Sequence, residues 1–190
     1  RWNETVKSDR DIVVVVGDFF WKGRGGAASN PLPDERFDEM RRILKRLRGE
    51  KILVRGNHDK FKDDEYLKAG FSGVGMRAEV EIDGETYSVF HEPSRILVPW
   101  FSGVGKRAPE DVPFGYREQW DEIQEIPGRF LCGHVHQMWR RCGPFLNVGV
   151  DVHDFAPLAA ERVPGMFLEE SKFLASDTEA NEFEERDKTG

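Results

Sequence analysis

Five β-branched residues in succession, Ile12 to Val16, run directly into Gly17-Asp18. A stretch of that kind has no polar side, so it suits a strand covered on both faces, as in layered α/β proteins. Its abrupt end places a carboxylate at the strand's C-terminal edge. The same pattern recurs down the chain. Ile52-Leu53-Val54 predicts a strand ending at Gly56-Asn57, Thr86 to Phe90 one ending at His91, and Phe130-Leu131-Cys132 one ending at Gly133-His134-Val135-His136. Strand ends in open α/β sheets gather along one edge, where ligands bind. The pattern therefore predicts that Asp18, Asn57, His91, His134 and His136 meet in one place, although they are scattered over more than half the chain.

The remaining segments fill in an α/β domain. Gly23 to Pro33 reads as a long loop. From about Asp34 the apolar residues Phe37, Met40, Ile43, Leu44 and Leu47 share one helical face, with Pro33 ahead of them and Gly49 behind. Ala78 to Ile82 and Thr86 to Phe90 alternate around Asp83-Gly84, which predicts a hairpin with a tight primed turn. Further strands are expected at Phe145 to Val150 and Lys172 to Ala175, and a helix from Tyr116 to Ile123. No internal repeat or linker divides the chain, so residues 1–190 read as a single domain closing in a charged tail, 180–190.

Composition excludes several classes. The longest apolar run is the five residues from Ile12, far short of the roughly 20 that a bilayer span needs. No leader-like start is present, and the two cysteines cannot staple a fold of this size, so a cytoplasmic location is expected. With 35 acidic against 28 basic residues the net charge is −7, which argues against a membrane surface or extended nucleic acid as partner. A phosphate-bearing ligand would need local attraction, and a metal ion would supply it.

The strand-end donors are oxygens and imidazoles, with no thiolate. Such a set suits Mn, Fe, Zn or Ni rather than an iron–sulfur cluster or a closed structural zinc site. Each motif alone has an ordinary explanation: Gly-Asp and Gly-Asn are common turns, and a lone histidine is more often a hydrogen-bonding residue than a ligand. Their joint occurrence carries the inference. Four of the five histidines (His58, His91, His134 and His136) lie at strand ends or just beyond.

Gly17-Asp18, Gly56-Asn57-His58-Asp59, His91 and Gly133-His134-Val135-His136 together resemble the motif series of the calcineurin-like metallophosphoesterase superfamily, over roughly Arg1 to Val163. Trp2 to Val6 and Asn147-Val148-Gly149-Val150-Asp151 also resemble segments of its small single-domain bacterial and phage members. The resemblance implies a four-layer α/β/β/α sandwich of two mixed sheets and a centre for two divalent metal ions, with Mn expected and Fe, Ni or Zn as alternatives. It implies that Asp18 bridges both metals, that Asn57, His91 and His134 hold the second, and that His136 holds the first. Water activated between the ions would attack phosphorus. His58 would assist the leaving group, with Asp59 orienting it, and Arg55 is a candidate for substrate binding. The implied substrate is a small phosphomono- or phosphodiester. A nuclease or cyclic-nucleotide phosphodiesterase, or a non-catalytic scaffold with the same fold, are the competing readings.

One family motif is missing. The superfamily opens on a strand ending in Asp-x-His, which supplies the first metal, and nothing of that kind precedes Gly17-Asp18. A lost first strand, a one-metal member and a circular permutation each answer this. The last is favoured by Phe173-Leu174-Ala175-Ser176-Asp177-Thr178-Glu179, which resembles the opening strand with Glu179 at the histidine position. Asp177 and Glu179 would then complete the first metal site, and the added carboxylate would favour Mn over zinc. Trp100, Phe101, Phe114, Tyr116 and Trp120 crowd one insertion with Lys106 and Arg107, and are expected mainly to pack. Cys132 is expected to be a buried, inert thiol, and His153 a turn residue.

Overall fold

The computed structural model describes residues 1–20, 33–97 and 123–169. Their helices are α1 (Trp2–Thr5), α2 (Pro33–Arg46), α3 (Asp63–Ala69) and α4 (Val163–Met166). The strands are β1 (Ile12–Val16), β2 (Glu50–Val54), β3 (Gly73–Gly75), β4 (Ala78–Ile82), β5 (Glu85–Val89), β6 (Phe130–Cys132), β7 (Arg141–Cys142) and β8 (Phe145–Asn147). They form two sheets. The first is parallel, in the order β1-β2-β3; the second is mixed, in the order β4-β5-β6-β8-β7.

Side-chain alternation assigns the layers. Val14, Val16 and Val54 of the first sheet meet Tyr87, Val89, Leu131 and Leu146 of the second, so the sheets pack face to face. The intervening Val15 and Leu53 point the other way, onto Met40 and Leu44 of α2 and Tyr66 and Ala69 of α3. On the far side of the second sheet, Cys132 and Phe145 pack with Leu97, Ile123, Ile126, Met138 and Trp139. The fold is thus the layered α/β sandwich of two sheets that the motif series implied. β1 has apolar neighbours on both faces, Val14 and Val16 towards the second sheet and Val15 towards the helices, although none of its five residues is fully buried.

The hairpin turn has Asp83 at φ 53° and Gly84 at φ 77°, the double positive φ of a primed turn. The expected strand from Phe145 to Val150 is shorter than the apolar pattern suggested. It stops at Asn147, and Val150–Val152 forms a 3-10 turn instead. The predicted strand at Lys172 to Ala175 and most of the Tyr116–Ile123 helix lie outside the described residues.

Candidate metal centre

Each expected ligand sits where the chain leaves a strand: Asp18 after β1, Asn57 after β2, His91 after β5, His134 after β6. Three of these side chains, Asp18, His91 and His134, offer ligand atoms that all lie within 4.8 Å of one another. His91 Nε2 stands 3.0 Å from Asp18 Oδ2 and 3.1 Å from Asn57 Oδ1. Asn57 Oδ1 is in turn 3.2 Å from His134 Nδ1. A carboxylate oxygen, an amide oxygen and two imidazole nitrogens thus converge on one point. That is the donor chemistry of a first-row divalent cation, and the residues fit such an ion.

The backbone makes this convergence possible. His91 Nδ1 lies 2.9 Å from the Val16 carbonyl, so the N–H on Nδ1 donates to it and Nε2 is the nitrogen that would be available to a metal ion once it gives up its proton. To reach that carbonyl the ring must lie against Gly17, where any Cβ would overlap it, and Gly17 also has φ 78°. At Gly56 a side chain would strike the Asp18 carboxylate. Three of the expected ligands adopt left-handed backbone conformations: Asp18 at φ 53°, His134 at φ 68° and His136 at φ 43°. Each such residue costs about 1–3 kcal/mol and persists only where its surroundings over-determine it.

Asp59 is one such restraint. It is buried, with 1% of its surface exposed. Its Oδ2 accepts the backbone N–H groups of Asp18 and Gly56, both at 2.8 Å. Its Oδ1 accepts the N–H of Phe19 at 3.2 Å and the Tyr66 hydroxyl at 3.4 Å. Asp59 thus ties the turn after β1 to the turn after β2 and so positions Asp18, and the backbone N–H of its neighbour His58 lies 2.9 Å from Asp18 Oδ1. Arg55, the candidate for substrate binding, donates from its guanidinium to the carbonyls of Asp59 and Phe61 at 2.8 and 3.1 Å and pairs with Asp63 at 2.8 Å.

The electrostatics follow from this packing. Burial pushes the Asp18 carboxyl upward, but the hydrogen bond and charge of His91, with the His58 amide, outweigh it and hold Asp18 below the usual carboxylate range. Burial pulls His91 down; its hydrogen bond to Asp18 and that carboxylate's charge outweigh it, and the imidazole is raised. Each partner thus keeps its charged form because of the other. Burial raises Asp59, opposed by its backbone donors and reinforced by the Asp18 charge.

His136 is held differently. Its Nδ1 lies 3.3 Å from Asp151 Oδ2, and its side chain is 53% exposed against 4% for His91. Asp151 and the fully buried Asn147 had no role assigned from the sequence. The signal was present: Asn147 closes strand β8 and Asp151 lies just beyond it, near a strand end like the other candidate residues. Cys132 is buried and its thiol is raised by burial. His153 donates from Nε2 to the Asn147 carbonyl at 2.8 Å. Asp177, Glu179 and the aromatic insertion from Trp100 to Trp120 lie outside the described residues.

A model of the calcineurin-like phosphoesterases matches residues 1–138, a span that includes Asp18, Asn57, His58, His91, His134 and His136. The chain belongs to that family. An uncharacterized protein of Methanocaldococcus jannaschii is 29% identical over 103 residues, which is 54% of this chain and 45% of that protein. The chain thus spans less than half the length of that relative. Among solved structures, a protein of unknown function from Aquifex aeolicus aligns with a TM-score of 0.49 at 24% identity, over 82% of this chain and 76% of that one. A Vps29 variant from Entamoeba histolytica aligns with a TM-score of 0.33 at 15% identity, over 73% of each chain. Among the described residues, no helix is long and apolar enough to cross a membrane.

Proposed function

We propose that this calcineurin-like phosphoesterase hydrolyses a small phosphomono- or phosphodiester at the Asp18–Asn57–His91–His134 centre, with Mn as its working metal. The observation that carries the reading is the approach of four ligand-type side chains, from the ends of four strands, to contacts of 3.0–3.2 Å. Divalent ions bound there would lower the pKa of a water and neutralise phosphate charge. The protein's own part is orientation and proton supply. Asp18 presents Oδ2 to His91 and accepts the His58 amide at Oδ1, which fixes the carboxylate in the centre. The His58 imidazole, next to the ligand Asn57, is assigned to donate a proton to the leaving oxygen.

A second ion would rest on Asp18 and His136, with Asp177 and Glu179 as the remaining ligands in a permuted arrangement. What supports the permutation is β1. It is the edge of the described sheet, and its residues from Val13 to Val16 keep part of their surface exposed while Ile12 is 65% exposed. A further parallel strand such as Phe173-Leu174-Ala175 would cover that edge.

Turnover of a chromogenic phosphodiester and of the matching monoester in Mn²⁺ tests the assignment. His58→Ala should lower kcat by roughly 10²–10⁴-fold, and Asp177→Ala should lower both metal content and turnover. Equal inactivity of wild type and His58→Ala in Mn²⁺, Fe²⁺, Ni²⁺ and Zn²⁺ would leave a binding module with a phosphoesterase fold.

A further inference from the structure

We propose that the segment from Asn147 to His153 is a positioning device for His136: Asp151 fixes the tautomer of its imidazole and Asn147 fixes the backbone that carries it, so that Nε2 is held out as a ligand atom. The metal-binding consequence rests on the functional reading above; the positioning itself does not.

Asn147 is fully buried, and its side-chain amide is saturated. Nδ2 donates to the His136 carbonyl at 2.6 Å and to the Trp139 carbonyl at 2.9 Å, while Oδ1 accepts the Gly149 N–H at 2.9 Å. Its backbone is anchored as well. β8 pairs Asn147 with Cys132, the last residue of β6, and the Asn147 carbonyl accepts His153 Nε2. The residue therefore ties the far end of the Gly133–Trp139 loop to the strand level from which that loop departs. Only an amide offers two donors and an acceptor in this shape; a carboxylate would place oxygen against two carbonyls.

Asp151 acts on the side chain. A carboxylate can only accept, so the contact between Asp151 Oδ2 and His136 Nδ1 requires the proton on Nδ1, which in the neutral ring makes Nε2 the nitrogen with the lone pair. This is the carboxylate–imidazole arrangement that orients metal-binding histidines. Asp151 itself is fixed in the Val150–Val152 turn, which is pinned by buried Val152 and by the Phe155 N–H donating to Val150 O at 2.9 Å. The left-handed backbone of His136 explains why restraint is needed from both directions: without it, the residue would relax to a commoner conformation and move its ring.

The test begins with metal-free protein. Nitrogen-15 NMR of the His136 ring, above the pH at which it carries charge, is expected to show the Nδ1–H tautomer in wild type and a shift towards Nε2–H in Asp151→Ala. Asp151→Asn, which keeps an acceptor, should restore much of the wild-type signal. In a Mn²⁺ titration, Asp151→Ala should weaken the ion that depends on His136 by about 10–100-fold, leaving the ion at His91 and Asn57 unchanged. Asn147→Asp should keep the tautomer and lose a comparable factor in affinity; unchanged affinity removes Asn147 from the device. An unaltered His136 tautomer in Asp151→Ala overturns the proposal. A shifted tautomer in a protein that binds no metal supports the positioning and defeats only the functional reading.

Discussion

His91 and His136 belong to one predicted constellation, yet the fold holds them in opposite ways. His91 is buried under Gly17, with Nδ1 on the Val16 carbonyl and Nε2 facing both Asp18 and Asn57. His136 stands half in solvent on a left-handed loop, with Asp151 beside its ring. The buried half of the site is organised by the sheet edges themselves. The open half must be braced from a neighbouring segment. Metal affinity should therefore be graded across the site.

The largest expected effect comes from breaking that grading directly. His91→Ala removes a proposed ligand and leaves Asp18 facing Asn57 without the imidazole between them. Loss of an outer support alone costs about 10–100-fold in metal affinity, so loss of this ligand should exceed that and abolish tight Mn²⁺ binding. His136→Ala should leave one ion bound with near wild-type affinity. Calorimetric titration of both variants decides the matter, and equal losses would show that the two halves act as one site.

The next effect concerns stability. Asp59 accepts four hydrogen bonds at 3.4 Å or less from Asp18, Gly56, Phe19 and Tyr66, so Asp59→Ala leaves buried donors without acceptors. A destabilisation of about 3 kcal/mol is expected in urea unfolding. Asp151→Ala, at a partly exposed position on the open half, should stay within about 0.5 kcal/mol of wild type. A similar cost for both would mean that the buried turn is not specially dependent on Asp59.

How far the sequence discloses this site depends on which interactions are local. The strand ends were legible because β-branched runs stop at Gly-Asp, Gly-Asn and Gly-His, and the hairpin because Asp83-Gly84 supplies two positive φ angles. The helix face of α2 was legible from its period. β3 (Gly73-Val74-Gly75) and the two-residue β7 carry no alternation long enough to read, and they exist through pairing with β2 and β8. Phe145 to Val150 read as a single strand because apolar content cannot show that the Asn147 amide and the Gly149 N–H would turn the chain. The structural contacts of Arg55 and Asp59 were not legible for one reason: each satisfies backbone groups brought close only by the tertiary fold.

The smallest effect discriminates between the two kinds of histidine through pH. His153 is buried; burial lowers its pKa from 6.5, Arg140 and Arg162 add to that, and the Asn147 carbonyl and Asp154 oppose it. The folded protein therefore binds fewer protons at this residue than the unfolded chain does. Its contribution to stability is complete above the usual value of 6.5 and declines as the pH falls through that value towards the folded one. His91 in metal-free protein has the opposite sign, because Asp18 raises it: its contribution is full below the usual value and is lost as the pH rises through the folded one. The two trends offset each other in the wild type, so the difference between variants is the informative quantity. His153→Gln keeps an N–H for the Asn147 carbonyl and does not titrate. Unfolding midpoints followed from about pH 7.5 to about pH 5.5 should fall more steeply for wild type than for His153→Gln, by less than the Asp59→Ala loss. Parallel curves would mean that His153 takes up its proton as readily in the folded protein as in the unfolded one, and the brace behind His136 would then be open to water.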